Sequence, residues 1–362
     1  MSDPKPTRRR WKIALGVVVL FAFVGWLVAW PAYKRHRAIQ EIERVGGSVR
    51  RQDVGPQWLQ KLGFSFERVV QVNLHDTSIT DDGLRNLSSL TNFRWLVLDR
   101  TRISDDGLEH LSGLTNLQGL YLNDTDITGD GLKHLGKLAN LDELKLNNSE
   151  ITDDGLKHLS KLTNLQYLEL HDTEISNDGL KHLKGLKNLQ LLDLNNTKIT
   201  DDGLKDLSGM TNLGVLSLTD TAITDDGLKH LSGLTDLWIL SLVSTGITDD
   251  GLLHLSGLTD LYQLFLDETG IAGNGLKHLV GLTNLEELSL NGTQVSDDGL
   301  KHLRGLTSLE DLYLNDTTIT DDGLKHLSGM TSLDAVYVDN TLVTDDGVNM
   351  LEKSLPNCYI GP

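Results

Sequence analysis

A single cysteine, Cys358, stands in 362 residues, so no intramolecular disulfide can brace this chain. Its place in the closing stretch predicts a small, buried apolar role rather than a reactive thiol. No phosphate-binding glycine loop, no zinc-ligand spacing and no Ser or Cys nucleophile in a recognisable context occurs. An enzyme is therefore not expected, and no cofactor is called for. Basic charge is scarce beyond the N-terminal part. Residues 1–66 hold 12 Lys/Arg against 4 Asp/Glu, a net +8, whereas the remainder holds 21 against 47, a net −26. So acidic a region repels nucleic acid and anionic lipid, which excludes nucleic acid as a partner. The basic stretch before it can rest on anionic headgroups.

What the chain has in abundance is one 24-residue unit, shown cleanly by residues 163–186, TNLQYLELHDTEISNDGLKHLKGL. From Glu67 to Ser354 it recurs twelve times without insertion or deletion, which predicts a solenoid. Positions 3, 6, 8, 13, 18, 21 and 24 of the unit are apolar, as in Leu165, Leu168, Leu170, Ile175, Leu180, Leu183 and Leu186. Alternation at 6 and 8 predicts a short strand with one buried face. Positions 18 and 21 share a face of a short helix, which the hydroxyl at 14 can cap and the aspartates at 15 and 16 can favour through its dipole. Gly at 23, as in Gly113, Gly185 and Gly233, predicts a left-handed exit. Stacked units bury what one unit cannot, giving a parallel sheet on one side and helices on the other. Twelve strands about 4.8 Å apart make a sheet on the order of 55 Å long, curved with the strands inside because helices are wider.

The pattern LxxLxLxxTxITDDGLKHLxGL over residues 67–354 resembles the leucine-rich repeat family in its 24-residue bacterial form. The resemblance implies an α/β fold, a right-handed horseshoe solenoid with a concave parallel sheet and convex short helices, which binds through the concave face. Where many members carry Asn or Cys after the strand, this chain has Thr77, Thr101, Thr125 and Thr173, or Ser149 once; a hydroxyl there is expected to bridge neighbouring loop amides.

Residues 1–12 are basic, and 13–30 give eighteen residues without charge, read as an uncleaved single-pass transmembrane helix with Trp11, Trp26 and Trp30 at its interfaces. The basic residues before the span favour a short inner tail and an extracytoplasmic repeat domain, although Lys34, Arg35 and Arg37 just after it nearly balance the bias. Residues 31–47 read as a charged helical stalk ended by Gly46 and Gly47. Residues 48–66 read as an N-terminal cap in which Trp58, Phe64 and Phe66 cover the first repeat, and 355–362 as a closing half-strand. The lead-in resembles that of membrane-anchored bacterial leucine-rich repeat proteins.

Nine repeats carry His at position 20, from His110 to His326. Adjacent repeats there sit roughly 9 Å apart, too far to share one zinc, so a surface consensus residue is expected. The paired aspartates admit a calcium-binding edge, but their place in the helix's first turn gives them a sufficient role. His75 and His171, beside Asp76 and Asp172, are the only strand-side histidines and stand four repeats apart.

Positions 5, 7 and 9 face outward from the sheet and are mostly polar. The middle differs: Leu191, Val215 and Ile239 take position 5 in three successive repeats, joined by Val243, Phe265, Trp238 and Tyr262. This apolar patch, and a second cluster of Trp95, Val97 and Tyr121, are the candidate sites for a protein or peptide ligand. Competing readings are a structural element self-associating through Leu253 and Val280, and a carbohydrate-binding surface at Trp95, Tyr121 and Tyr167. The oligomeric state is left open.

Overall fold

The structure is a computed structural model that describes residues 26, 29, 30, 32–55, 58, 61, 67–90 and 92–361. Its sheet has fourteen strands in chain order. The first, Ser48–Asp53, runs antiparallel to Glu67–Asn73, and every later strand, from Trp95–Val97 to Tyr359–Gly361, adds in parallel. No proline falls between residues 67 and 354, so every amide of the repeats can donate. Each repeat closes with a short α-helix or 3-10 turn, such as Asp225–Leu228 or Gly251–Leu255.

The seven apolar positions form one continuous core. In the fifth repeat, Leu165, Leu168, Leu170, Ile175, Leu180, Leu183 and Leu186 are all fully buried, and the same positions recur buried through the stack. The polar consensus proves equally structural. Asn at position 2 donates its amide to the position-1 carbonyl of the preceding repeat, as Asn212 does to Lys187 at 2.9 Å. Position 10 is left-handed in every repeat, from Asp76 (φ 53°) to Asn340 (φ 55°), and eight of those twelve residues are Asp or Asn, which after glycine tolerate that region best.

Two expectations change here. Gly at position 23 is not left-handed; the turn that needs positive φ is the one after the strand. The Thr at position 11 does not bridge loop amides. Its buried hydroxyl donates to the carbonyl three residues back, 2.6 Å for Thr221 to Leu218. Bridging falls instead to position 9, where Asp99, Asn123, Asn147, Asn195, Asp267, Asn291 and Asn315 each accept from the position-9 amide of the next repeat.

The hydroxyl at position 14 also turns away from plain helix capping. It accepts from the position-16 amide, as a cap does, at Thr128, Ser176, Thr248 and Thr320. In eight places it meets the position-15 side chain of the preceding repeat, as at Asp81 and Ser104 or Asp297 and Thr320. Where Gly129 or Gly273 stands at position 15, the backbones close in instead, Gly273 opposite Gly299. The departure Ala272-Gly273-Asn274 is thus absorbed by the fold: Gly273 takes φ 109°, and its amide donates to Asp249.

The N-terminal segment also differs from expectation. A helix over residues 32–44 does not stand free: Ala38 and Ile42, four apart on one face, are buried in the core, with Ile39 and Val45 partly so. This helix and the strand Ser48–Asp53 close the first repeat. Trp58 is exposed, and Phe64 and Phe66 lie outside the described residues. The expected transmembrane helix over 13–30 lies outside them too, apart from Trp26, Ala29 and Trp30; among the described residues no helix is long and apolar enough to cross a membrane. At the other end Cys358 is buried, and burial, with Asp334 and Asp311 nearby, pushes its thiol up to about 11.

Candidate functional site

Because side chains alternate along a strand, positions 5 and 7 of every repeat share the open face of the sheet, and strict parallel register sets them in rows. Leu191, Val215 and Ile239 are consecutive partners in one row, followed by Gln263. Phe265 stands beside Ser241 in the next row. Trp238 and Tyr262, at position 4, are 48% and 41% exposed along the rim of this patch. Trp238 reaches back over Gly214: a Cβ on that glycine would lie 2.4 Å from the indole nitrogen.

At the same repeats the position-9 ladder stops. Thr219 and Val243 occupy the accepting position and have no carbonyl side chain, so the amides of Val243 and Asp267 find no acceptor in the ladder. Thr219 pairs instead with Ser241, hydroxyl to hydroxyl at 2.8 Å. Carboxylates border the patch. Burial pushes Asp193 above the usual carboxylate range, against the pull of the Asn195 amide and His171. On the other side Glu286 beside Tyr262 raises the phenol.

The second cluster is also assembled, and it is already engaged. Trp95 and Tyr121 meet edge to face at 6.4 Å, and Trp95 lies over Gly119, where a Cβ would come within 2.1 Å of the ring. Val97, in register with Tyr121, is buried. Lys145 covers Tyr121 at 5.0 Å from the ring centroid and bonds Glu169 at 2.7 Å, with Glu143 at 3.5 Å. Burial alone would lower the lysine, but Glu169 and Glu143 outweigh it and hold the ammonium above its ordinary value. Burial, then Glu143, raises Tyr121 as well. Tyr167 donates to Gln190 at 3.2 Å.

A third group went unnoticed in the sequence. Tyr313 and Tyr337, partners at position 7, stack with centroids 4.6 Å apart and planes at 5°, and Tyr359 tilts over Tyr337 at 5.9 Å. The signal was available in two successive position-7 tyrosines; Tyr359 joins only because the closing strand extends the sheet.

The paired aspartates have structural partners. Aspartates at position 15 hold the next repeat, and those at 16 pair with the basic residue at 19, as Asp226 with Lys229 at 3.1 Å. The position-20 histidines are half-buried rather than on the surface. Burial, then Lys229 and Lys205, lowers His230, whose Nε2 is buried without a partner among the described residues. His171 bonds Asp172 at 2.8 Å, while His75 faces Asp99 at 4.0 Å rather than Asp76.

Such a stack is a leucine-rich repeat solenoid, and the comparisons agree. The family described as Leucine Rich repeat matches residues 161–184, 185–208, 209–232, 281–303 and 305–328, so these segments are leucine-rich repeats. Its structure is similar to that of an internalin (inlF) from Listeria monocytogenes, with TM-score 0.65 and 24% identity over 84% of this chain and 92% of that one. It is also similar to a plant peptide hormone receptor, RGFR1, solved in complex with RGF2, with TM-score 0.53 and 16% identity over 76% of this chain and 48% of the other. None of the curated proteins matches the chain. At these identities the likeness is one of fold.

Proposed function

We infer that this chain is a non-enzymatic binding module whose open sheet face, the concave one, takes a protein or peptide. The anchor is the patch of Leu191, Val215, Ile239, Trp238, Tyr262, Phe265 and Val243. One observation carries the reading: three branched side chains in register and two exposed aromatics gather where the amide ladder is interrupted. Large apolar groups on a sheet face that needs none for folding mark an interaction site, and free amides beside them can meet a ligand's carbonyls. The peptide hormone receptor with the same fold lends this analogy. The uncharged run at 13–30 tethers the module to a membrane as a single pass, with the repeats on the extracytoplasmic side.

The test is a pull-down from the source cells with the full chain in detergent, wild type against Ile239→Asp/Phe265→Asp, both checked by circular dichroism. A specific protein lost by the folded variant supports the reading; identical captures overturn it. The carbohydrate alternative is weaker because Lys145 occupies the Tyr121 face that a sugar would use. Self-association retains one observation: Leu253 and Val280 are both 51% exposed on the helical side. Concentration-dependent sedimentation abolished by Leu253→Lys would support it.

A further inference from the structure

The sheet face carries tyrosines beside carboxylates in two places, and only one of them holds a cation. In repeats 3 to 5, Tyr121, Lys145 and Glu169 are register partners at position 7, with Glu143 beside them at position 5, and the lysine binds both carboxylates above the ring. In repeats 10 to 12 the same parts recur. Glu287 and Asp311 are register partners at position 5, and Tyr313 and Tyr337 at position 7. Glu286, Glu310 and Asp334 follow one another at position 4. No Lys, Arg or His occurs at positions 4 to 9 of these three repeats; Lys301 and Lys325 lie on the helical side, engaged with Asp298 and Asp322.

The absence of a counter-charge is felt locally. Glu310 is raised above the usual carboxylate range, chiefly by Glu286, and Tyr313 is raised by burial and then by Glu287 and Asp311. Uncompensated like charges cost folding free energy. Two stacked rings with carboxylates beside them suit a cation, which gains from ring and charge together, as Lys145 does; Glu287 also accepts from the Gln263 side chain, as Glu169 does from Asn147 while it binds the lysine.

We propose that Glu287, Asp311, Tyr313 and Tyr337 form a receptor for a lysine or arginine side chain of an extended partner peptide, with Tyr337 stacked behind Tyr313 so that the other face of Tyr313, on the Ser289 side, meets the cation and the carboxylates lie at its side. This rests on the reading of the sheet face as the binding surface and names the chemistry of the partner there: a basic peptide, complementary to a region of net charge −26. The apolar anchor of repeats 6 to 9 and this cation site lie along one face, so one extended ligand can engage both.

The probe is a fluorescein-labelled Gly-Arg-Gly-Arg-Gly peptide, with citrulline replacing arginine as its uncharged control, titrated by anisotropy into the full chain in detergent at low salt. Glu287→Gln/Asp311→Asn should weaken the arginine peptide about tenfold and Tyr337→Leu about fivefold, and the citrulline peptide should not bind. Asp202→Asn/Asp226→Asn, which removes the same charge from the helical side, should change affinity less than about twofold. The proposal is overturned if the two charge pairs weaken binding equally, if Tyr337→Leu leaves it unchanged, or if the wild type does not prefer arginine over citrulline. Thermal melts verify that each variant folds, and Glu287→Gln alone serves if the double variant does not. Ile239→Asp/Phe265→Asp separates the two readings: its arginine binding persists if only the apolar anchor is wrong, while unchanged partner capture by Glu287→Gln/Asp311→Asn shows that only the cation site is wrong.

Discussion

Asp225 and Thr248, twenty-three residues apart, are joined by two hydrogen bonds: the Thr248 amide donates to one carboxylate oxygen at 2.8 Å and its hydroxyl to the other at 2.6 Å. Asp225→Ala leaves both donors without this partner and should cost about 1–2 kcal/mol in urea denaturation. Asp225→Asn should cost less than about 0.5 kcal/mol, because the chain already contains that arrangement. Asn177 accepts from the Thr200 amide at 2.9 Å and donates its side-chain NH2 to the Thr200 hydroxyl at 2.7 Å. Equal losses for Ala and Asn would show that the two bonds are not what joins these repeats.

The same carboxylate explains the glycine at position 17. A Cβ on Gly251 would stand 2.3 Å from Asp225 Oδ1 and 3.0 Å from its Cγ. Gly251→Ala should therefore destabilise by about 2–3 kcal/mol, as overpacking does. With Asp225→Ala in place the obstacle is gone, so the double variant should fall short of the sum by about 1 kcal/mol or more. Strict additivity would refute the steric account.

The core and strand order were legible because a leucine at positions 3, 6, 8, 18 and 21 has one use in a stack, which the burial of Leu213, Leu216, Leu218, Leu228 and Leu231 displays. Contacts between repeats were not legible. Asp225 and Thr248, or Gly251 and Asp225, lie about one repeat apart, and a single unit read alone assigns each of them a local role, as cap, first-turn acid or helix exit. The rows of the sheet face fell between these cases. Leu191, Val215 and Ile239 could be aligned by period alone, while the lysine over Tyr121 and the tilt of Tyr359 over Tyr337 depend on side-chain direction across strands.

The half-buried histidines predict an acid-sensitive fold. In His158, His230 and His302, burial is the first cause of a value lowered from 6.5; Lys157 and Lys133, Lys229 and Lys205, and Lys301 and Lys277 add to it, against Asp130, Asp201, Asp202 and Asp298. A lowered folded-state value means that the unfolded chain takes up protons first. The contribution is whole above 6.5 and lost as pH falls through the folded values. The melting temperature should decline from pH 7 towards about 5.5, ahead of carboxylate titration, and His158→Gln/His230→Gln/His302→Gln should flatten the decline. An equally steep decline in the triple variant would assign it to other groups.

Lys145 makes the energetic value of a cation on this face measurable. Its removal in Lys145→Met keeps much of the apolar stem but leaves Glu143 and Glu169, diagonal neighbours on adjacent strands, without the cation they share, and Asn147 still bonded to Glu169 at 2.7 Å. At neutral pH the variant should lose about 1–2 kcal/mol, since a partly buried charge loses its partner. A charge term is screened by salt, so the deficit should shrink between low ionic strength and about 1 M salt. Paired denaturation curves at the two salt concentrations measure this directly. A deficit of constant size would assign the loss to packing of the lysine stem over Tyr121 rather than to its charge, whereas Lys145→Met/Glu143→Gln/Glu169→Gln should recover most of the stability if charge is the cause.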